Sequence, residues 1–119
     1  MPRVVHFEIS AEDPKSTIKF YEETFDWKFE KWDGPMDYWM IRTGEGDGID
    51  GGLTRRKPTT IDINTLGVED LDAYVKKVKS NGGTILMPRM AIQGVGWWAV
   101  FEDREGNKFG IMQDDPSAI

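Results

Sequence analysis

The 119-residue sequence contains no cysteine and a single histidine. The first absence excludes disulfides, thiolate metal sites and cysteine nucleophiles together. The second leaves His6 as the only imidazole for acid–base or metal chemistry. No apolar run approaches the ~18 residues of a membrane span, so no membrane partner is expected. Positive charge is also short: 15 Lys and Arg against 21 Asp and Glu give a net charge of -6. Nucleic-acid affinity comes mainly from basic side chains displacing counterions, so nucleic acid is not expected as a partner. The one basic cluster, Arg55-Arg56-Lys57, runs into Pro58-Thr59-Thr60 and reads as a solvated linker. The N-terminus enters a strand pattern at once with no signal-peptide hydrophobic stretch, which makes the cytoplasm the expected location. Length and the 39% hydrophobic content fit one domain spanning 1–119.

What is present is a repeat. Val5, Phe7 and Ile9 alternate with Val4, His6, Glu8 and Ser10, the mark of a half-buried strand that places His6 and Glu8 on one polar face. Asp13-Pro14 opens a helix with an N-cap residue and a proline at the first position, followed by Ile18, Tyr21 and Phe25 at helical spacing. Strands are expected at 27–32, 38–43 and 49–54, completing a βαβββ unit. Gly44-Glu45-Gly46-Asp47-Gly48 leads from strand to strand, so it is a turn and not a phosphate cradle. The same order recurs, with a strand at 61–68, a helix at 70–80 stopped by Asn81-Gly82-Gly83, and strands at 84–90, 97–102 and 108–113. The expected class is therefore α+β: two βαβββ modules, about 1–56 and about 59–115, related by pseudo-two-fold symmetry in a curved mixed sheet around a cleft, with the helices outside.

These motifs carry a family resemblance. Val5-His6-Phe7-Glu8-Ile9, Asp13-Pro14 through Phe20-Tyr21, and Phe25-Asp26-Trp27 resemble the opening strand, helix and turn of the vicinal-oxygen-chelate proteins, which include glyoxalase I, extradiol dioxygenases and bleomycin-binding proteins. Val68-Glu69-Asp70, Asn81-Gly82-Gly83 and Phe101-Glu102-Asp103-Arg104-Glu105-Gly106-Asn107 are similar to its second half, with Arg104 where proline is usual. The resemblance implies four metal ligands, one on the first and one on the last strand of each module. Here those positions hold His6, Ile63, Gly52 (or Gly51 with a one-residue shift) and Gly110. Glycine and isoleucine supply no side-chain donor, while catalytic metal sites use about three protein ligands. No cofactor is therefore expected, and a divalent metal would require a site rebuilt from His6, Glu8 and a loop carboxylate such as Asp47 or Asp50.

The expected function is a glyoxalase-like or bleomycin-resistance-like protein that binds a small organic, aromatic or apolar ligand in its cleft without a catalytic metal. Strand alternation groups Tyr38 and Met40 with Trp97, Ala99 and Phe101, and Trp39 and Ile41 with Trp98 and Val100. The expected ligand-lining set is Tyr38, Met40, Gly52, Ile63, Trp97, Gly110 and Met112, with His6 and Glu8 as the candidate catalytic pair. An alternative from another class is a lyase, isomerase or dioxygenase using a rebuilt metal site or His6/Glu8 acid–base chemistry. The resemblance also implies a homodimer.

Overall fold

The computed structural model describes residues 1–119. The chain is α+β, with two helices and eight strands in mixed parallel and antiparallel pairing, and it divides into two compact units. One unit is His6–Asp62; the other joins Met1–Val5 to Ile63–Ile119. The first strand, β1 (Arg3–Ala11), thus contributes to both.

In the first unit, α1 (Pro14–Phe25) follows β1, and then come β2 (Lys28–Lys31), β3 (Tyr38–Arg42) and β4 (Asp50–Arg55). Asp13 caps α1 by accepting the Ser16 N–H at 3.4 Å, and Pro14 fills the first helical turn, where no N–H is needed. Asp26 ends the helix in the left-handed conformation at φ 60°. Residues His6–Ala11 of β1 run parallel to β4, β4 pairs antiparallel with β3, and β3 with β2. Buried Ala11, Ile41 and Leu53 form the core, flanked by Phe7, Ile9, Ile18, Trp27, Phe29 and Trp39.

The second unit repeats the plan with β5 (Asn64–Gly67), α2 (Leu71–Ser80), β6 (Thr84–Ile92), β7 (Gly96–Glu102) and β8 (Lys108–Asp114). β5 runs parallel to β8, β8 antiparallel to β7, and β7 antiparallel to β6. Asp70 caps α2 through the Ala73 N–H at 3.2 Å, and the Gln113 side chain accepts the Leu71 N–H at 2.9 Å, fixing the helix start to β8. Leu71, Ala99 and Ile111 are the buried centre, packed against Leu66, Val68, Tyr74, Val75, Trp97 and Phe101. The strand expected at 61–68 begins only at Asn64, because 57–63 is taken up by the link between units. Ile61 is 58% exposed and Ile63 precedes the strand. No helix is long and apolar enough to cross a membrane.

Candidate functional site

The period of two on β1 puts Phe7 and Ile9 into the core and turns His6 and Glu8 to the opposite sheet face. Register decides what meets them there. Glu8 lies beside Gly52, and Gly52 lies across from Met40, so these three positions share the face. Tyr38 sits two residues along β3 from Met40, opposite Thr54, and its ring leans back over Gly52. A Cβ at Gly52 would fall 1.8 Å from the Tyr38 hydroxyl oxygen and 2.2 Å from Cζ. Only glycine leaves room for that ring.

Seated there, the tyrosine closes a hydrogen-bonded triangle. The Tyr38 hydroxyl donates to Glu8 Oε1 at 3.2 Å and lies 3.0 Å from His6 Nε2, which is itself 3.1 Å from the same carboxylate oxygen. The His6 and Glu8 side chains retain 32% and 22% of their exposure, so the cluster is half sheltered and still reachable. Burial first, and then the Glu8 carboxylate, push the Tyr38 hydroxyl well above the ordinary tyrosine value near 10, so the phenol is a neutral donor at physiological pH. Trp32, whose backbone N–H donates to the Tyr38 carbonyl at 2.8 Å, places its ring edge-on to Tyr38 with centroids 6.1 Å apart. The face therefore offers an acceptor, an imidazole and a hydroxyl bordered by Trp32 and Met40.

The second unit carries the counterpart positions with different chemistry. Thr65 stands beside Gly110 as Glu8 stands beside Gly52, and a Cβ at Gly110 would meet Trp98 Nε1 at 2.4 Å and Thr65 Oγ1 at 2.9 Å. Thr65 is buried at 6% exposure. Met112 pairs with Trp98 and shares this face. Trp97 does not, which corrects the expected grouping. It packs with Leu71 and Ala99 in the core, donates its indole N–H to Asp115 at 3.0 Å and lies under the Arg89 guanidinium at 4.1 Å. The partition of β7 slips by one residue relative to β3, and such a slip exchanges every side chain between faces. Tyr38 and Met40 are matched by Trp98 and Val100. Ile63, half-buried ahead of β5, presents no donor.

Trp32 beside the cluster, and Trp98 and Thr65 at the counterpart positions of the second unit, are residues that pattern reading passed over. The slide of 57 residues that pairs Ile9-Ser10 with Leu66-Gly67 also pairs Glu8 with Thr65, which was signal enough for that one.

The donor set does not fit a divalent ion. No three His, Cys, Asp or Glu residues come together anywhere in the chain. Asp50, a candidate for a rebuilt site, uses its carboxylate to accept the Thr43 N–H at 2.8 Å and close the β3–β4 turn, and Asp47 lies exposed at that turn. Two surface cavities lie away from the cluster. One of about 520 Å³ is bordered by Ser10, Ser16, Phe20, Arg56 and Asp62, and one of about 410 Å³ by Val78, Phe101 and Arg104.

Paired βαβββ repeats with a polar strand face are the architecture of a known class, and comparison with known proteins bears on which. The profile of the Glyoxalase/Bleomycin resistance protein/Dioxygenase superfamily matches residues 3–111. The chain belongs to that superfamily. Among solved structures it is similar to a hypothetical protein of Bacillus halodurans C-125, at a TM-score of 0.78 and 14% identity, covering 99% of this chain and 98% of that one. It is also similar to methylmalonyl-CoA epimerase from Mycobacterium tuberculosis, at 0.74 and 14%, covering 95% and 88%. A variant of the Streptomyces coelicolor methylmalonyl-CoA epimerase in complex with 2-nitronate-propionyl-CoA matches at 0.67 and 18%, covering 98% and 97%. No curated protein matches by sequence.

Proposed function

We propose that this protein binds a small organic ligand at the His6–Glu8–Tyr38 cluster without a catalytic metal. The observation that carries the reading is the triangle itself. Three hydrogen-bonding side chains from two separate strands converge within 3.2 Å on one sheet face, beside two large apolar side chains. The Glu8 carboxylate is an acceptor that can read the polar head of the ligand by hydrogen bonding, while Trp32 and Met40 suit a flat or apolar body. A cationic head complements the Glu8 carboxylate and gains from neighbouring ring faces. The epimerases named above support the fold of this reading and not its substrate, since identity is only 14% to 18%.

The test is a thermal-shift screen of small aromatic and aliphatic amines, acids and neutral compounds. A true ligand at a hundredfold excess over its Kd stabilises by about 2.7 kcal/mol, and that shift should be lost in Glu8→Gln and His6→Ala. Compounds that stabilise these variants as well as the parent would move the site elsewhere.

A second reading, an enzyme of the lyase, isomerase or dioxygenase kind, draws on His6 Nε2 being held against both an acid and a hydroxyl, an arrangement suited to proton transfer. Under it, His6→Ala keeps the fold and abolishes turnover. Under the binding reading there is no turnover to abolish.

A homodimer is part of the proposal. Strand β6 exposes Met87 and Met90 at 39% and 42% beside Val100 and Trp98 on one sheet face, apolar surface of the kind that association covers. Light scattering after size exclusion should give twice the monomer mass, and a monomer at micromolar concentration would remove this element.

A further inference from the structure

We infer that Tyr38, seated over Gly52, takes the structural place of a metal ion in the first repeat and keeps the face closed to one. The inference rests on the proposed function only in concerning the same cluster. The first support is exclusion. A Cβ at position 52 would lie 1.8 Å from the Tyr38 hydroxyl and 2.8 Å from Cε2, so a donor side chain at 52 and this tyrosine cannot coexist. Beside Glu8 and on the face of His6, position 52 is the place from which a third donor would complete a facial set. With glycine there, only two donors remain, one fewer than the three protein ligands typical of a catalytic metal site.

The second support is occupancy. The hydroxyl already bonds His6 Nε2 and Glu8 Oε1, so an arriving cation would have to break the triangle and displace a neutral phenol that binds divalent ions poorly. The hydrogen bonds orient the imidazole and carboxylate, as coordination to an ion otherwise does. The third support is repetition. In the other unit an aromatic ring again covers the matching glycine, Trp98 over Gly110, and its indole N–H is donor-only and cannot ligate. The same ring-over-glycine arrangement in both repeats is a pattern, with Tyr38 adapted to polar neighbours and Trp98 to Thr65.

The test reverses the arrangement. Tyr38→Ala combined with Gly52→His removes the ring and adds a third donor beside His6 and Glu8. Cobalt(II) is the probe, because its visible absorption reports coordination directly. The expected result is one cobalt per chain in the double variant with tetrahedral-type absorption, lost again on His6→Ala, and no such spectrum for the parent. The inference is overturned if the parent binds one cobalt in a His6-dependent manner, or if the folded double variant binds no more than the parent.

Should that variant lose its circular-dichroism signature of folding, Tyr38→Phe keeps the ring and deletes only the hydroxyl. Because the chain has one histidine, its imidazole NMR signals are unambiguous. They should move in Tyr38→Phe, and unchanged signals would show that the hydroxyl does not hold His6. A fruitless ligand screen would count against the proposed function and leave these metal and histidine readings standing.

Discussion

Substituting alanine for Gly52 is the smallest change that tests whether the site is built as described. The added methyl would sit 1.8, 2.2 and 2.8 Å from three atoms of the Tyr38 phenol, well inside contact distance, so the ring must swing off the face. Leaving it forfeits the hydrogen bonds to His6 and Glu8. A neutral bond contributes about 0.5–1.5 kcal/mol and one to a charged group about 1.5–3. Partial exposure of the cluster favours the lower ends, giving a loss of about 2 kcal/mol or somewhat more. Gly52 does not have a positive φ, so alanine itself is tolerated by the backbone and recovers about 0.4–1 kcal/mol from the unfolded chain. The contrast appears in a double-mutant cycle. With Tyr38→Ala already present there is no ring to strike, and Gly52→Ala becomes neutral or mildly stabilising. The coupling energy between the two positions should be about 2 kcal/mol. Urea unfolding followed by tryptophan emission measures all four proteins. An equal effect of Gly52→Ala in both backgrounds would refute the packing of Tyr38 over this glycine.

Gly110→Ala strikes Trp98 Nε1 and Thr65 Oγ1 in the same way, and overpacking of this kind destabilises by about 1–3 kcal/mol, with a change in tryptophan emission as its sign. Leu53 is fully buried, and Leu53→Ala should lower stability by about 2–5 kcal/mol in the same denaturation assay. The raised Tyr38 ionisation favours the protonated folded state, so its contribution is complete below pH 10 and is lost as pH rises through the higher folded value. Above pH 10 the parent should therefore lose stability more steeply than Tyr38→Phe. The Asp103 carboxylate, held by the Asn107 side chain and by the Asn107 and Glu105 N–H groups, is depressed below 3.8. Its contribution is present above that pH and lost as pH falls below it, and Asp103→Asn should flatten this acid limb in thermal melts.

Most of the fold was legible in the chain because its signals are local. Asp13-Pro14 and Asp70 start their helices where a cap residue precedes a helical apolar period, and the turns Asp33-Gly34, Gly44 to Gly48, Asn81-Gly82-Gly83 and Asp103 to Asn107 separate strands from their neighbours. β5 came out short because Ile61 and Ile63 continue the strand alternation in composition while the backbone there serves the link between units. The site was harder to read. Glu8, His6 and Tyr38 were individually visible, but their meeting depends on β1 lying beside β4 and β4 beside β3, which no local pattern encodes. Gly52 and Gly110 were expected in the ligand-lining set from strand spacing, which carries no information on what stands over them. The space above each is filled by a ring of the chain itself. Trp97 and Trp98 are adjacent and chemically identical, so composition could not decide which one turns inward. The register of β7 on β8 decides it.

The most direct test of the central claim is the metal content of protein purified without an affinity tag, by elemental mass spectrometry, followed by calorimetric titration with nickel, manganese, ferrous iron and zinc. The account predicts no stoichiometric metal and no tight titration, with His6, Glu8 and Tyr38 left to an organic ligand. One tightly bound ion per chain, released by His6→Ala, would contradict it and make metal-dependent catalysis the working description of the protein.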